Sequence, residues 1–138
     1  MRKFVKVQFN ASLDNVTLAR SIATCFLLDK NLNVSVLNEI KTIVSEAVTN
    51  AIVHGYHCDN ESIVEMELNL DEELLKIIVI DNGVGIENVE EARTPLFSTK
   101  LSEERAGLGF TIMEVFSDEM NVTSIVNQGT TICCLKKI

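Results

Sequence analysis

The stretch Leu74-Leu75-Lys76-Ile77-Ile78-Val79-Ile80-Asp81-Asn82-Gly83-Val84-Gly85 decides the fold. Residues 74 to 80 form a near-continuous apolar run rich in β-branched side chains, which predicts a strand near the centre of a sheet. From Asp81 onward the character changes to an acid, an amide and two glycines one residue apart. Asn82-Gly83 is the strongest short signal for a hairpin turn, and a tight turn is one reading. Two features count against it. No partner strand follows over Ile86 to Glu91, and Gly85 repeats the permissive residue. Glycines without a side chain let a ligand lie against the backbone. Asp81, at a strand end, can accept a hydrogen bond from an exocyclic amine. The pair lacks the third glycine and following helix of a dinucleotide fingerprint, so a Rossmann arrangement is excluded.

Outward from this strand, the period of the apolar residues sets the other elements. Val64, Met66, Leu68 and Leu70 alternate with Glu65, Glu67 and Asn69, and Asp71-Glu72-Glu73 makes the turn into Leu74. Val5, Val7 and Phe9 alternate with Lys6 and Gln8, which reads as an edge strand with one wet face. Between them lie two helices. Ser12 is the expected cap of the first, over 13–28, with Val16, Ala19, Ile22, Ala23 and Phe26 on one side. Asn31 to Asn33 break the chain, and the second runs over 34–53 with Leu37, Ile40, Val44, Ala47 and Ala51 as its buried stripe. Gly55 closes it. Residues 82 to 106 carry little periodicity and contain the only proline, Pro95. An irregular stretch of about 25 residues is rarely mere connection. A helix is expected to open at Gly107 and run to about Phe116, followed by a hairpin of Met120–Val126 and Thr130–Lys136 around Asn127-Gln128-Gly129. The order β-α-α-β-β-loop-α-β-β predicts an α/β fold. Its form is a two-layer α/β sandwich, with a mixed, mostly antiparallel sheet and helices on one face.

Composition narrows the class of partner. The 138 residues are expected to form one domain, 1–138. Twelve basic residues stand against 20 acidic ones, a net charge of -8, which argues against nucleic acid or an anionic membrane as partner. No run of apolar residues is long enough to span a bilayer, and no signal peptide is evident, so a cytoplasmic location is expected. Cys25, Cys58, Cys133 and Cys134 form no CxxC and have no zinc spacing with His54 or His57, so all four are expected to be reduced thiols. The six glycines are few, and four of them fall in two G-x-G pairs.

Three further groups carry chemistry. Glu46 and Asn50 are one helical turn apart and share a face. That face could simply be solvated. Alternatively, the carboxylate takes a proton from a hydroxyl while the amide oxygen ligands a hard cation. Magnesium suits a single protein ligand, because phosphate and water oxygens can supply the rest. Gly107-Leu108-Gly109 at a helix start could be a plain cap or an anion site built from backbone N–H groups. Arg105, just upstream, could clamp a terminal phosphate. Gly129-Thr130-Thr131 alone reads as a hairpin corner.

Taken together and in this order, the groups resemble the GHKL ATPase superfamily with its Bergerat nucleotide-binding fold. Glu46-Ala47-Val48-Thr49-Asn50, extended through Gly55-Tyr56, resembles the N box. Asp81-x-Gly83-x-Gly85 resembles the G1 box, Gly107-x-Gly109 the G2 box, and Gly129-Thr130-Thr131 the terminal G-T element. Over nearly its whole length the chain is similar to the small serine-kinase anti-sigma factors, including Glu90-Glu91-Ala92-Arg93-x-Pro95-Leu96-Phe97-x-Thr99-Lys100 and Gly109-Phe110-Thr111-Ile112-Met113-Glu114.

The resemblance implies an ATP- and Mg²⁺-dependent protein-serine kinase. Glu46 would be the general base and Asn50 the Mg²⁺ ligand. Asp81 would read the adenine amine, with Gly83 and Gly85 making room for the base and Thr130 supporting it. Gly107, Leu108 and Gly109 would cradle phosphates, and Arg105 would touch the γ-phosphate. Residues of about 87–106 would form an ATP lid, and Arg20 would contact partners. The implied partners are a sigma factor, sigma F of sporulation being the nearest case, and a STAS-domain anti-anti-sigma factor whose serine is phosphorylated. A homodimer is implied as well. A nucleotide-regulated binding module without kinase activity, and the related stress-response anti-sigma kinases, are the alternatives. Ser98 and Ala106 depart from the family pattern, where threonine and serine are frequent. No phosphoacceptor histidine helix is expected, and His54 is read as helix-end packing.

Overall fold

A computed structural model describes residues 2–94 and 104–138, with backbone alone for residues 104–107. The strands are β1 (Arg2–Asn10), β2 (Ile63–Asp71), β3 (Leu74–Asp81), β4 (Glu119–Ile125) and β5 (Gly129–Lys137). The helices are α1 (Asn15–Phe26), α2 (Val34–Asn50), α3 (Val89–Arg93) and α4 (Glu104–Phe116). The strands form one sheet in the order β1-β2-β3-β5-β4. The expected mixed sheet is corrected here: all four described pairings are antiparallel. The reason is the closing hairpin. It returns β5 beside β3 and leaves β4 at the edge, so no two neighbouring strands among the described residues run the same way. As the apolar run predicts, β3 is central.

Register places side chains in rows across the sheet. Val7, Met66, Val79, Ile132 and Val122 form one row on the face turned to the helices. Val5, Leu68, Ile77, Cys134 and Met120 form the next. Against these rows α2 packs Ile40, Ile43, Val44, Ala47 and Val48, and all five are buried. Complete burial of an isoleucine such as Ile40 or Ile43 contributes roughly 1.5–3 kcal/mol each. Ile78 and Ile80 point to the opposite face and are only half-buried. The apolar run of β3 therefore reflects its central position in the sheet, and a second helical layer is not needed to explain it.

The helix boundaries shift from expectation for local reasons. Asn33 caps α2, its Oδ1 accepting the Val36 N–H at 2.8 Å. α1 begins at Asn15, later than residue 13. Ser12 instead accepts the Asp14 N–H at 3.3 Å, and the Asn15 amide donates to Asn10 O at 2.9 Å, so a short turn precedes the helix. α1 ends at Phe26, and a 3₁₀ turn at Leu28–Lys30 follows. α4 starts at Glu104, three residues before the expected opening at Gly107. Glu104, Arg105 and Ala106 are good helix formers, and an acid at a helix start is favoured by the dipole. Within the stretch read as irregular, Asn88 caps α3 by accepting the Glu91 N–H at 3.1 Å.

At the far end of the sheet the inner face closes on a charge. Lys136 is 9% exposed, and its Nζ donates to Glu39 Oε2 at 2.8 Å and to Phe116 O at 2.6 Å. The ammonium thus satisfies a carbonyl at the C-terminal end of α4, where a cation is favoured. The four cysteines are free, and Cys134 is buried, its thiol pushed up to about 11 by desolvation.

Candidate nucleotide site

The apolar rows of the sheet give way to a polar one at the end where β3 stops. Asp81 of β3 pairs with Thr130 of β5, and Thr130 pairs in turn with Ser124 of β4. Asp81 is 3% exposed and Thr130 4%. Buried polar groups need partners, and these have them. Asp81 Oδ1 accepts the Gly83 N–H at 3.0 Å, and Ser124 Oγ lies 2.8 Å from Thr130 Oγ1. Burial pushes the Asp81 carboxyl above its ordinary value, while the N–H groups of Gly83 and Thr130 pull it partly back.

Three pieces of backbone converge on this row. The first is the end of α2, which widens into a π-helical turn at Ala51–Gly55. Such turns accompany functional sites. The second is the loop after Asp81, and the third is the β4–β5 hairpin. Val84 N–H donates to Gly55 O at 3.0 Å, and Asn127 N–H to Val84 O at 2.7 Å. Tyr56 ties the first two together, because its hydroxyl accepts the Asn82 N–H at 2.6 Å and donates to Ile63 O at 2.7 Å.

The glycines make this convergence possible. A Cβ on Gly83 would lie 2.0 Å from Gly55 O, and one on Gly129 would lie 2.0 Å from Asp81 O. Gly85 has φ +74° and would meet Ile125 O at 2.3 Å. The sequence reading gave Gly83 and Gly85 space for a ligand. In the structure the space beside each is already filled by neighbouring backbone.

Glu46 and Asn50 lie half-buried on α2, as their spacing requires. A Cβ on Gly109 would sit 3.1 Å from Glu46 Oε2, so α4 meets α2 at the carboxylate. The shifted start of α4 makes Gly107 its fourth residue. The first four N–H groups of a helix, counted from its N-cap, have no intrahelical partner. The fourth residue of a helix already donates to its N-cap carbonyl, as Leu37 of α2 does to Asn33 O and Ala92 of α3 to Asn88 O, both at 3.1 Å, so Gly107, Leu108 and Gly109 all fall beyond the free donors. This corrects the expectation that all three glycine-segment amides open the helix. The side chain of Arg105, and residues 95–103 of the expected lid with Ser98 among them, lie outside the described residues, as does the side chain of Ala106.

The structure therefore brings together Glu46 with Gly109, and Asp81 with Thr130, Gly83 and Gly129. Arg20 stands apart. It is exposed on α1 and lines a surface hollow of about 320 Å³ with Thr17, Thr24 and Lys41. Among the described residues no group of three or more His, Cys, Asp or Glu could hold a metal ion. The sequence reading missed three contributors. The sequence marks Gly55 as a helix stop and, with Tyr56, as the end of the N box, but gives neither a contact with the loop after Asp81, and it gives Ser124 no role. Ser124 has no local signal, because its position in the polar row follows from register.

No helix among the described residues is long and apolar enough to cross a membrane. The histidine kinase-like ATPase domain family matches residues 9–136. The chain is 46% identical over 138 residues to an anti-sigma F factor of Anoxybacillus flavithermus, covering 100% of this chain and 94% of that protein. It is 46% identical over 134 residues to an anti-sigma F factor of Clostridium perfringens, covering 97% and 96% of the two chains. Its fold is similar to the crystal structure of the RsbU and RsbW domains of a Mycobacterium tuberculosis protein, with TM-score 0.69 and 17% identity. That match covers 98% of this chain and 32% of the longer one. This chain belongs to the anti-sigma F factors, within the family of histidine kinase-like ATPase domains.

Proposed function

We propose that this chain is an ATP-dependent protein-serine kinase that doubles as an anti-sigma factor. In this reading it binds sigma F during sporulation, in the cytoplasm and as a homodimer. It transfers the γ-phosphate of ATP to a serine of a STAS-domain anti-anti-sigma factor. The observation that carries the reading is Glu46, a carboxylate on α2 held against Gly109 of α4 and one turn from Asn50. A module that only binds has no need of a base beside a candidate metal ligand.

The residues present suit an adenine nucleotide. Asp81 and Thr130 are buried acceptors at the end of the sheet. Gly55 brings no Cβ against the Asp81 carboxylate, where one would lie 2.7 Å from Oδ1. Asn50 offers a neutral oxygen for Mg²⁺, which takes its remaining ligands from phosphates and water. Bound ATP and Mg²⁺ supply the activated phosphoryl group and the charge that stabilises its transfer. The chain's own part is positioning. Glu46 takes the proton of the attacking serine hydroxyl. The free N–H groups at the start of α4, ahead of Gly107, donate to phosphate, and Arg105 neutralises the terminal one. The segment of about 87–106 closes over the nucleotide as a lid. Arg20, outside this cluster, contacts the partner proteins.

Mixing the purified chain with a sporulation sigma factor and either ATP or ADP tests the anti-sigma part. Co-elution that responds to the nucleotide is expected, and no co-elution under any condition would remove it. The kinase part is tested with a small STAS-domain substrate, which a binding module would leave unmodified.

A further inference from the structure

Ser124 makes more contacts than a hairpin serine needs. Its Oγ accepts the Ile86 N–H at 2.7 Å and lies 3.1 Å from Gly129 O and 2.8 Å from Thr130 Oγ1. A serine hydroxyl has one proton and two lone pairs. A carbonyl can only accept, so satisfying Gly129 O takes the Ser124 proton. The Ile86 N–H fills one lone pair, and the other is left for the Thr130 hydroxyl to donate into. In this arrangement all of Ser124's capacity is used and no buried group is orphaned.

The consequence falls on Thr130. Its proton is committed to Ser124, so Thr130 Oγ1 offers only lone pairs elsewhere. Opposite it in the ladder stands Asp81, an acceptor when ionised. The polar row then presents acceptors alone. A 6-amino purine offers a donor to such a surface, whereas a 6-oxo purine offers an acceptor and is repelled.

We propose that Ser124 is a positioning and specificity-determining residue, which fixes the Thr130 hydroxyl as an acceptor and so favours a 6-amino over a 6-oxo purine. The inference rests on the nucleotide reading of the site. Ser124 also ties the loop after Asp81 to the β4–β5 hairpin through the Ile86 N–H.

The test measures the affinities of ATP and inosine triphosphate for wild type, Ser124→Ala and Ser124→Thr. Both affinities are taken on the same preparation, so partial unfolding scales both and cancels in their ratio. The wild type should prefer ATP. Ser124→Ala frees the Thr130 proton to turn toward a 6-oxo group, and the ratio should fall about tenfold, the effect of one hydrogen bond's worth of discrimination. Ser124→Thr keeps the hydroxyl and should restore the ratio. An unchanged ratio in Ser124→Ala, or a threonine variant that behaves like the alanine one, overturns the role of Ser124 while leaving the nucleotide site intact. A wild type that binds neither nucleotide overturns the site itself, and this inference with it.

Discussion

Gly55 holds its backbone against the carboxylate of Asp81. A Cβ at Gly55 would lie 2.7 Å from both Cγ and Oδ1 of Asp81 and 2.9 Å from Oδ2. The end of the helix that carries Glu46 and Asn50 is thereby fitted to the polar end of the sheet. Gly55→Ala inserts a methyl group where a buried carboxylate already stands. Stability should fall by about 1–3 kcal/mol, the usual cost of overpacking. ATP affinity should fall with it, because Asp81 must move. Urea unfolding and a nucleotide titration check both, and an alanine variant equal to wild type in each would remove the contact from the account.

The burial of Asp81 sets a pH dependence. Its carboxyl sits above the ordinary value because desolvation disfavours the ionised form. The folded state therefore holds this proton to higher pH than the unfolded chain does. The stability it contributes is full below the unfolded value and is lost as pH rises through the raised folded one. Asp81→Asn abolishes that dependence. The melting temperature of wild type relative to Asp81→Asn should drop as pH is raised from about 4 to about 7. A difference that stays level or grows would contradict the sign. ATP affinity of the wild type should move the other way and strengthen once the carboxylate is ionised.

In the proposed reading Asn50 ligands Mg²⁺ through a neutral amide oxygen. Asn50→Ala should weaken ATP binding in magnesium and leave magnesium-free binding almost unchanged. Titrations with Mg²⁺ and with a chelator separate the two. Equal loss in both conditions would mean that Asn50 contributes to folding or to the nucleotide directly.

Lys136 lies roughly 20 Å along β5 from Thr130, by the rise of a strand. Lys136→Met keeps the length of the side chain but loses the bonds to Glu39 Oε2 and Phe116 O. Glu39 is 35% exposed and can return to water, so the expected loss is about 1–2 kcal/mol. Nucleotide affinity should not change. A variant that unfolds normally but binds ATP poorly would tie this end of the sheet to the site.

The sequence made the elements legible because their periods are clean. The alternation around Met66 and the three-and-four spacing around Val44 each have one structural solution. The central place of β3 could be read from its apolar run, and the Glu46–Asn50 pair from its helical spacing. Register could not be read locally. The same pairing that aligns Val79, Ile132 and Val122 in an apolar row aligns Asp81, Thr130 and Ser124 in a polar one. Ser124 looks like an ordinary hairpin serine until that row is assembled. The two hairpins could be read from their turns, but the antiparallel pairing of β3 with β5 could not, since it depends on where the last hairpin inserts. Gly55 and Gly83 were legible as glycines but not as contacts, because what a missing Cβ avoids lies in another part of the chain.

The central claim is that Glu46 takes the proton of a serine hydroxyl during phosphoryl transfer. Single-turnover formation of phosphoserine on a STAS-domain substrate, with ATP and Mg²⁺, tests it most directly when wild type and Glu46→Gln are compared at saturating ATP. Wild type should transfer, and Glu46→Gln should bind ATP normally while transferring about a hundredfold more slowly or worse. Transfer by Glu46→Gln at the wild-type rate, or no transfer by wild type, would contradict the account.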